Sequence, residues 1–403
     1  MIIRQNVKCQ TCDHIHTLRI AIGMPGEQRH TFQCVSCGED MQIALQIGSG
    51  TISKLTWINA EVSTDQEQHP IINLDPNFTL PHNMPDEDFS FHRIEQMDAM
   101  LKEALKHQNL EQLLRNQGST GHAMYDIPNH WQALRKTIRL SSRGKTKLAE
   151  RLLESWSSEI SKEDPFTSID EWAFSFCTLL IFPRHKNTFE ACLKEIYRIV
   201  DDQKPVDFLN YYKGELIKKR IENYIDIIND FINAYSEIVQ IIPMQRMGAN
   251  TPSNHITTSN NFDAVKTFYG NSYEVLSGHA ELFTMLNNID QGRSYDKLES
   301  INLTQYRKLD NSSKYNAFDK NPYFKAVCIE KDNQIRNASH HKGIRLSEDK
   351  ITVIYNSGKG GLGDDQTLLY SEYLIKCYNI FSQIIMLFCI DIVLNRHLNS
   401  RLF

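Results

Sequence analysis

The chain has 403 residues, 41% of them hydrophobic and 23% charged, with a formal net charge of −5. This is an ordinary globular composition, long enough for two or three domains that each bury a core. The opening M-I-I-R-Q-N-V-K-C lacks the apolar stretch of a secretory signal. The most apolar run, Ile384 to Leu394, carries Asp391 and is too short and too polar to span a bilayer, so a buried helix and no membrane are expected.

Residues 1–62 read as short strands. H-T-L-R-I-A-I-G, R-H-T-F-Q-C, M-Q-I-A-L-Q-I-G and T-I-S-K-L-T-W-I are rich in β-formers, with G-M-P-G-E and G-S-G as turns. Two C-x-x-C pairs lie among them, Cys9/Cys12 and Cys34/Cys37, with 21 residues between the pairs. Two such knuckles bring four thiolates to the corners of a tetrahedron about 2.3 Å from a Zn²⁺ ion. The pattern resembles the zinc-ribbon family over residues 1–60, and it implies a structural metal, because four thiolates leave no position open for water or substrate. His14 and His16 lie close enough to replace a ligand, but with four cysteines present they are expected to be bystanders. The other five of the nine cysteines sit among apolar neighbours, as small core residues do. With no signal peptide, a reducing cytoplasm is the expected home.

Residues 63–88 contain prolines, acids and no periodicity, and read as an acidic linker or a strapped-down extended segment. From Phe89 apolar residues recur three and four apart, predicting a helical domain over 89–206 and another over 207–403. Within the first, Arg135, Lys136, Arg139, Arg143, Lys145, Lys147 and Arg151 meet one acid, Glu150. Arg135 and Arg139 share a helix face, which suits a phosphate-gripping stripe but is also what a solvated helix face looks like. S-G-K-G-G-L-G-D-D, around Lys359, has the glycines of a phosphate loop. Asp364 and Asp365 stand where a hydroxyl is needed, so a hairpin turn is expected.

The stretch Q-I-R-N-A-S-H-H-K places Arg336 five residues before His341 at the end of a predicted helix. R-x4–6-H also occurs as Arg115…His122, in a glycine-containing loop that would hold neither side chain. The Arg336 copy lies in a window with nine Lys or Arg against four Asp or Glu over 303–345, interleaved with Tyr306, Tyr315, Phe318, Tyr323 and Phe324. Such rings suit base stacking. The pattern resembles the signature of the HEPN superfamily (higher eukaryotes and prokaryotes nucleotide-binding), whose nuclease members carry R-x4–6-H, often with a polar residue after the Arg.

That resemblance, covering roughly 207–403, implies a metal-independent endoribonuclease in which Arg336 and His341 are catalytic, with Asn337 and His340 assisting. It also implies a homodimer whose two motifs share one cleft, and a role as a toxin or in phage defence. The chemistry suits the residues. The 2′-hydroxyl of RNA attacks the adjacent phosphorus, leaving a 2′,3′-cyclic phosphate and a 5′-hydroxyl. An imidazole with a pKa of about 6.5 serves both proton transfers, and a guanidinium offsets the phosphorane charge. The alternative is a non-catalytic adaptor that binds RNA or a protein partner, its Arg and His only closing a helix. The expected fold is mainly α: a small N-terminal β zinc ribbon, a middle helical region and a C-terminal HEPN-like bundle.

Overall fold

The computed structural model describes residues 2–23, 26–48, 52–81, 92–106, 126–160, 165–253, 255–257, 259–340, 343–358 and 363–403. The fold is not mainly α. The described residues are 54% helix and 18% strand and form four separate sheets of two to four strands.

The N-terminal region is larger than a ribbon. Strands β1 (Ile2–Cys9) and β2 (Ile15–Ala21) pair antiparallel, β6 (Ala60–Val62) adds to β1, and β7 (Ile71–Leu74) adds parallel to β2. A second sheet has the order β3 (Gly26–Gln33), β4 (Asp40–Ile47), β5 (Ile52–Ile58). Alternation along β4 sends Met41, Ile43, Leu45 and Ile47 inward, where they join Val7, Leu18, Ile20, Phe32 and Leu74 in one core. This region therefore buries apolar material of its own and does not depend on a metal staple alone. That is why it grows beyond the small ribbon expected. β7 is the element that local pattern hides, because its partner strand lies more than fifty residues earlier.

The longer helices are α1 (His92–Lys106), α2 (Ile127–Ser142), α3 (Thr146–Ile160), α4 (Ile169–Ile181), α5 (Lys186–Gln203), α6 (Ile217–Asn233), α7 (Phe262–His279), α8 (Glu281–Asp290), α9 (Asn333–His340) and α10 (Tyr370–His397). All of these except α1 share one continuous core, with α10 at its centre. By length and composition α10 could cross a membrane, but 89% of its most apolar window is buried inside the protein. Its one buried carboxylate, Asp391, takes Arg220 of α6 at 2.7 Å and the hydroxyls of Tyr212 and Tyr224 at 2.9 and 2.6 Å.

Between α9 and α10 lies a sheet of β10 (Ile344–Leu346), β11 (Thr352–Asn356) and β12 (Asp365–Leu369), all antiparallel. Its last two strands form the hairpin that the glycine-rich stretch predicted, and residues 359–362, Lys359 among them, lie outside the described residues. A short pair, β8 (Leu80–Pro81) with β9 (His255–Ile256), ties the segment after the first β region to the helices. The β region also meets this part of the chain through Lys350 and Asp40 (2.6 Å) and through the Gln33 amide on the Glu348 carbonyl (2.7 Å).

Candidate functional site

The two cysteine knuckles are built alike. β1 ends at Cys9, whose carbonyl accepts from the Asp13 N–H at 3.0 Å. The Cys34 carbonyl accepts from the Gly38 N–H at 2.9 Å. Both turns need a positive φ at their fifth residue, 60° at Asp13 and 76° at Gly38. Each turn thereby presents one buried and one exposed thiol.

Cys9 and Cys37 sulfurs stand 3.8 Å apart, Cys12 and Cys34 sulfurs 3.5 Å apart, and all four fall within 4.8 Å of one another. A tetrahedron with metal–sulfur bonds of about 2.3 Å has edges of roughly 3.8 Å, so the four cysteines fit a metal ion. His16 is not among them: its Nε2 accepts the Val35 N–H at 3.2 Å, bracing the second knuckle from β2. His14 packs edge-on to the His16 ring.

The second candidate is on α9. Asp332 starts this helix, its Oδ1 accepting the N–H groups of Gln334 (3.1 Å) and Ile335 (3.2 Å). Ile335 and Ala338 are buried, and Arg336 turns to α7. The Arg336 guanidinium donates through Nε to Glu274 Oε1 at 2.6 Å and again through Nη2. Its Nη1 meets Asn337 Oδ1 at 2.8 Å. Glu274 also takes the Asn311 amide at 2.8 Å, and Lys314 donates to Asn311 at 2.8 Å. Tyr273 is buried beside them with an unpartnered hydroxyl, its pKa pushed up to about 12 by burial against the opposing pull of Arg336.

His340, four residues after Arg336, occupies the same helix face. Its ring lies over Gly270, where a Cβ would come within 3.2 Å of Nε2. Glu274 and Gly270 are themselves four apart, so α7 and α9 run antiparallel across this contact. The structure thus brings Arg336, Asn337 and exposed His340 onto one edge, with Arg336 26% and Glu274 40% exposed. His341 and the Arg115…His122 stretch lie outside the described residues.

Sequence reasoning missed Gly270, Tyr273, Glu274 and Asn311. G-N-S-Y-E carries the spacing that puts a glycine and a carboxylate on one face, but nothing in it names the facing helix. The aromatic residues assigned to base stacking are corrected. Tyr306, Tyr315, Phe318 and Phe324 are no more than 2% exposed, and Tyr323 alone is open, at 44%. Their spacing is that of a core: Phe283 stacks on Phe324 and meets Phe318 edge-on.

No protein-family model matches the chain, and neither a curated protein nor a solved structure matches it.

Proposed function

We propose that the chain is an endoribonuclease of the HEPN type, cutting RNA by attack of its own 2′-hydroxyl to leave 2′,3′-cyclic phosphate and 5′-hydroxyl ends. The observation that carries the reading is the partly exposed Arg336, oriented by Glu274 and Asn337 with His340 on the same helix face. A guanidinium held in this way keeps its charge at a fixed place, ready for phosphate oxygens. His341, the next residue in sequence after α9, supplies in this reading the imidazole that protonates the leaving 5′-oxygen. Base, acid and cation are all side chains, so the chemistry needs no metal ion. In this reading two chains pair through the C-terminal helical part, a regulatory protein restrains the activity, and the protein acts in the cytoplasm as a toxin or phage-defence effector.

The four cysteines hold Zn²⁺ in this reading, as a structural ion. Purified protein then carries a single zinc per chain by elemental analysis. Cys34→Ser loses it and destabilises the β region by about 4–5 kcal/mol or more, as the loss of a structural metal does.

One observation favours the adaptor reading instead: Arg336 is already engaged by Glu274 and Asn337, as an arginine that only fastens two helices would be. The deciding experiment incubates the protein with RNA and matching DNA in EDTA, beside His341→Ala and Arg336→Ala. RNA-only cleavage, reduced about 10²- to 10⁴-fold in either variant, is expected. Intact RNA after incubation with a well-folded wild type would shift the reading to an adaptor.

A further inference from the structure

A run of charge without carboxylate partners lies not at the motif but along the C-terminal half of α2. Arg135 and Arg139 stand four apart on α2, a rise of roughly 6 Å, and Arg143, the residue that caps its C-terminus, lines the same cleft as both. That step is comparable to the one between successive phosphates of a nucleic-acid strand. Several other arginines hold carboxylates: Arg93 with Asp75, Arg198 with Glu195, Arg307 with Glu281. These three hold none among the described residues, and the Arg135 Nε is buried without any acceptor. Like charges four apart repel along a helix, and an anion lying across the stripe would relieve that repulsion.

The surface around the stripe is concave. One cleft of about 380 Å³ is lined by Gln132, Arg135, Lys136, Arg139, Leu140 and Arg143. It shares Gln132 and Arg135 with a neighbouring cleft of about 420 Å³, which Asn129, Trp131, Asn229 and Asn233 also line. The first cleft offers cations at a regular step. The second offers side-chain amides, which can donate to and accept from the exposed edges of unpaired bases. The Trp131 indole N–H is spent on Asn229 Oδ1 at 2.9 Å, which fixes the floor of the amide cleft. α6 supplies Asn229 and Asn233 to this cleft, and its Asp230 takes the Asn271 amide of α7 at 2.8 Å, one turn from the Glu274 that grips Arg336. The two sites are thus carried by consecutive packed helices.

We propose that the stripe Arg135–Arg139–Arg143 and the amide cleft beside it are a binding groove for single-stranded RNA. The arginines take phosphates and the amides take a base. The proposal rests on the reading that RNA is the substrate, and it adds where the strand is held away from the cutting site.

The test uses the full-length protein and a 2′-O-methyl RNA strand, which no 2′-hydroxyl mechanism can cut, with affinity measured across a salt series. Arg139 and Arg143 are exposed, so the double variant Arg139→Gln/Arg143→Gln is expected to fold, checked by its melting curve. It should weaken binding about tenfold or more and flatten the salt slope by about 1.4, roughly 0.7 per lost phosphate contact. Arg139→Lys/Arg143→Lys should keep most of the slope. A double Gln variant with wild-type affinity and slope would overturn the groove. So would a wild type that ignores the RNA but binds a poly-glutamate peptide, which would assign the stripe to an acidic protein. Binding lost in the double variant, with unmodified RNA left uncut by the wild type, would keep the groove and remove the nuclease reading.

Discussion

Arg220 of α6 meets Asp391 of α10 with 2% and 0% of their side chains exposed, whereas Arg336 of α9 meets Glu274 of α7 with 26% and 40% exposed. Each pair joins two helices of the same core, yet they are finished differently. Arg220 also donates to the His279 carbonyl (2.8 Å) and the Tyr224 hydroxyl (2.8 Å), while Asp391 takes two tyrosine hydroxyls besides. Every strong group is assigned to protein, and no face is left for a ligand. Arg336 keeps part of its surface in water, so a phosphate can approach without a buried charge first being stripped of its partner. The contrast teaches that an arginine–carboxylate contact says little by itself. Exposure and the saturation of the remaining donors separate a fastening from a site.

The sharpest way to break the comparison is to remove one carboxylate from each pair. Asp391→Ala should cost about 3–5 kcal/mol, because it leaves the Arg220 charge buried and unpaired. Replacing both partners, Arg220→Met with Asp391→Leu, should recover most of that loss, since well-packed apolar residues can take the place of a buried pair. Urea unfolding of the single and double variants measures both. If Asp391→Ala unfolds no more easily than the wild type, the network is not the fastening described.

These two pairs also mark where sequence reading succeeds and stops. Asp391 was conspicuous as one acid inside an apolar run, but Arg220 stands 171 residues before it, and no local pattern links them. The knuckles were legible because a C-x-x-C turn is a local geometry, repeated with Asp13 and Gly38 in matching places. Arg336, Asn337 and His340 were legible as a motif closing one predicted helix. Glu274 was not, because its role arises only when α7 packs antiparallel to α9. The overestimate of helix came from the same limit. Thr352–Asn356 alternates visibly, whereas Ile71–Leu74 becomes a strand only by pairing with β2.

A smaller effect separates the two pairs by pH. His279 is fully buried beside Arg220, with Asn223 against its Nε2 at 3.1 Å, and burial together with the Arg220 charge drives its pKa well below the usual range. The unfolded chain, with an ordinary value of about 6.5, therefore binds a proton that the folded chain refuses. Stability from this group is complete above about 6.5 and falls as pH drops below it, by about 1.4 kcal/mol per pH unit for one proton. His279→Gln, which keeps an acceptor for Asn223, should flatten the acid limb of the stability curve by that slope. An unchanged limb would mean that other buried imidazoles carry it. His130 is one, lowered to about 4 by burial alone.

The smallest stability change belongs to the exposed pair, and there the interest lies in function. Glu274→Gln should cost no more than about 1 kcal/mol, since a half-exposed ion pair gains little over water. The amide can still accept from Arg336, so the guanidinium stays in place, while one negative charge near the expected phosphate position is gone. RNA affinity should therefore rise by a modest factor, read from KM. If the turnover number falls while KM holds, Glu274 is a positioning residue that aims Arg336 at the reacting phosphate, and the contact is part of the machinery. A variant that melts several degrees lower, with neither parameter separable from the loss of folded protein, would make this pair a fastening like Arg220 and Asp391, and the comparison would dissolve.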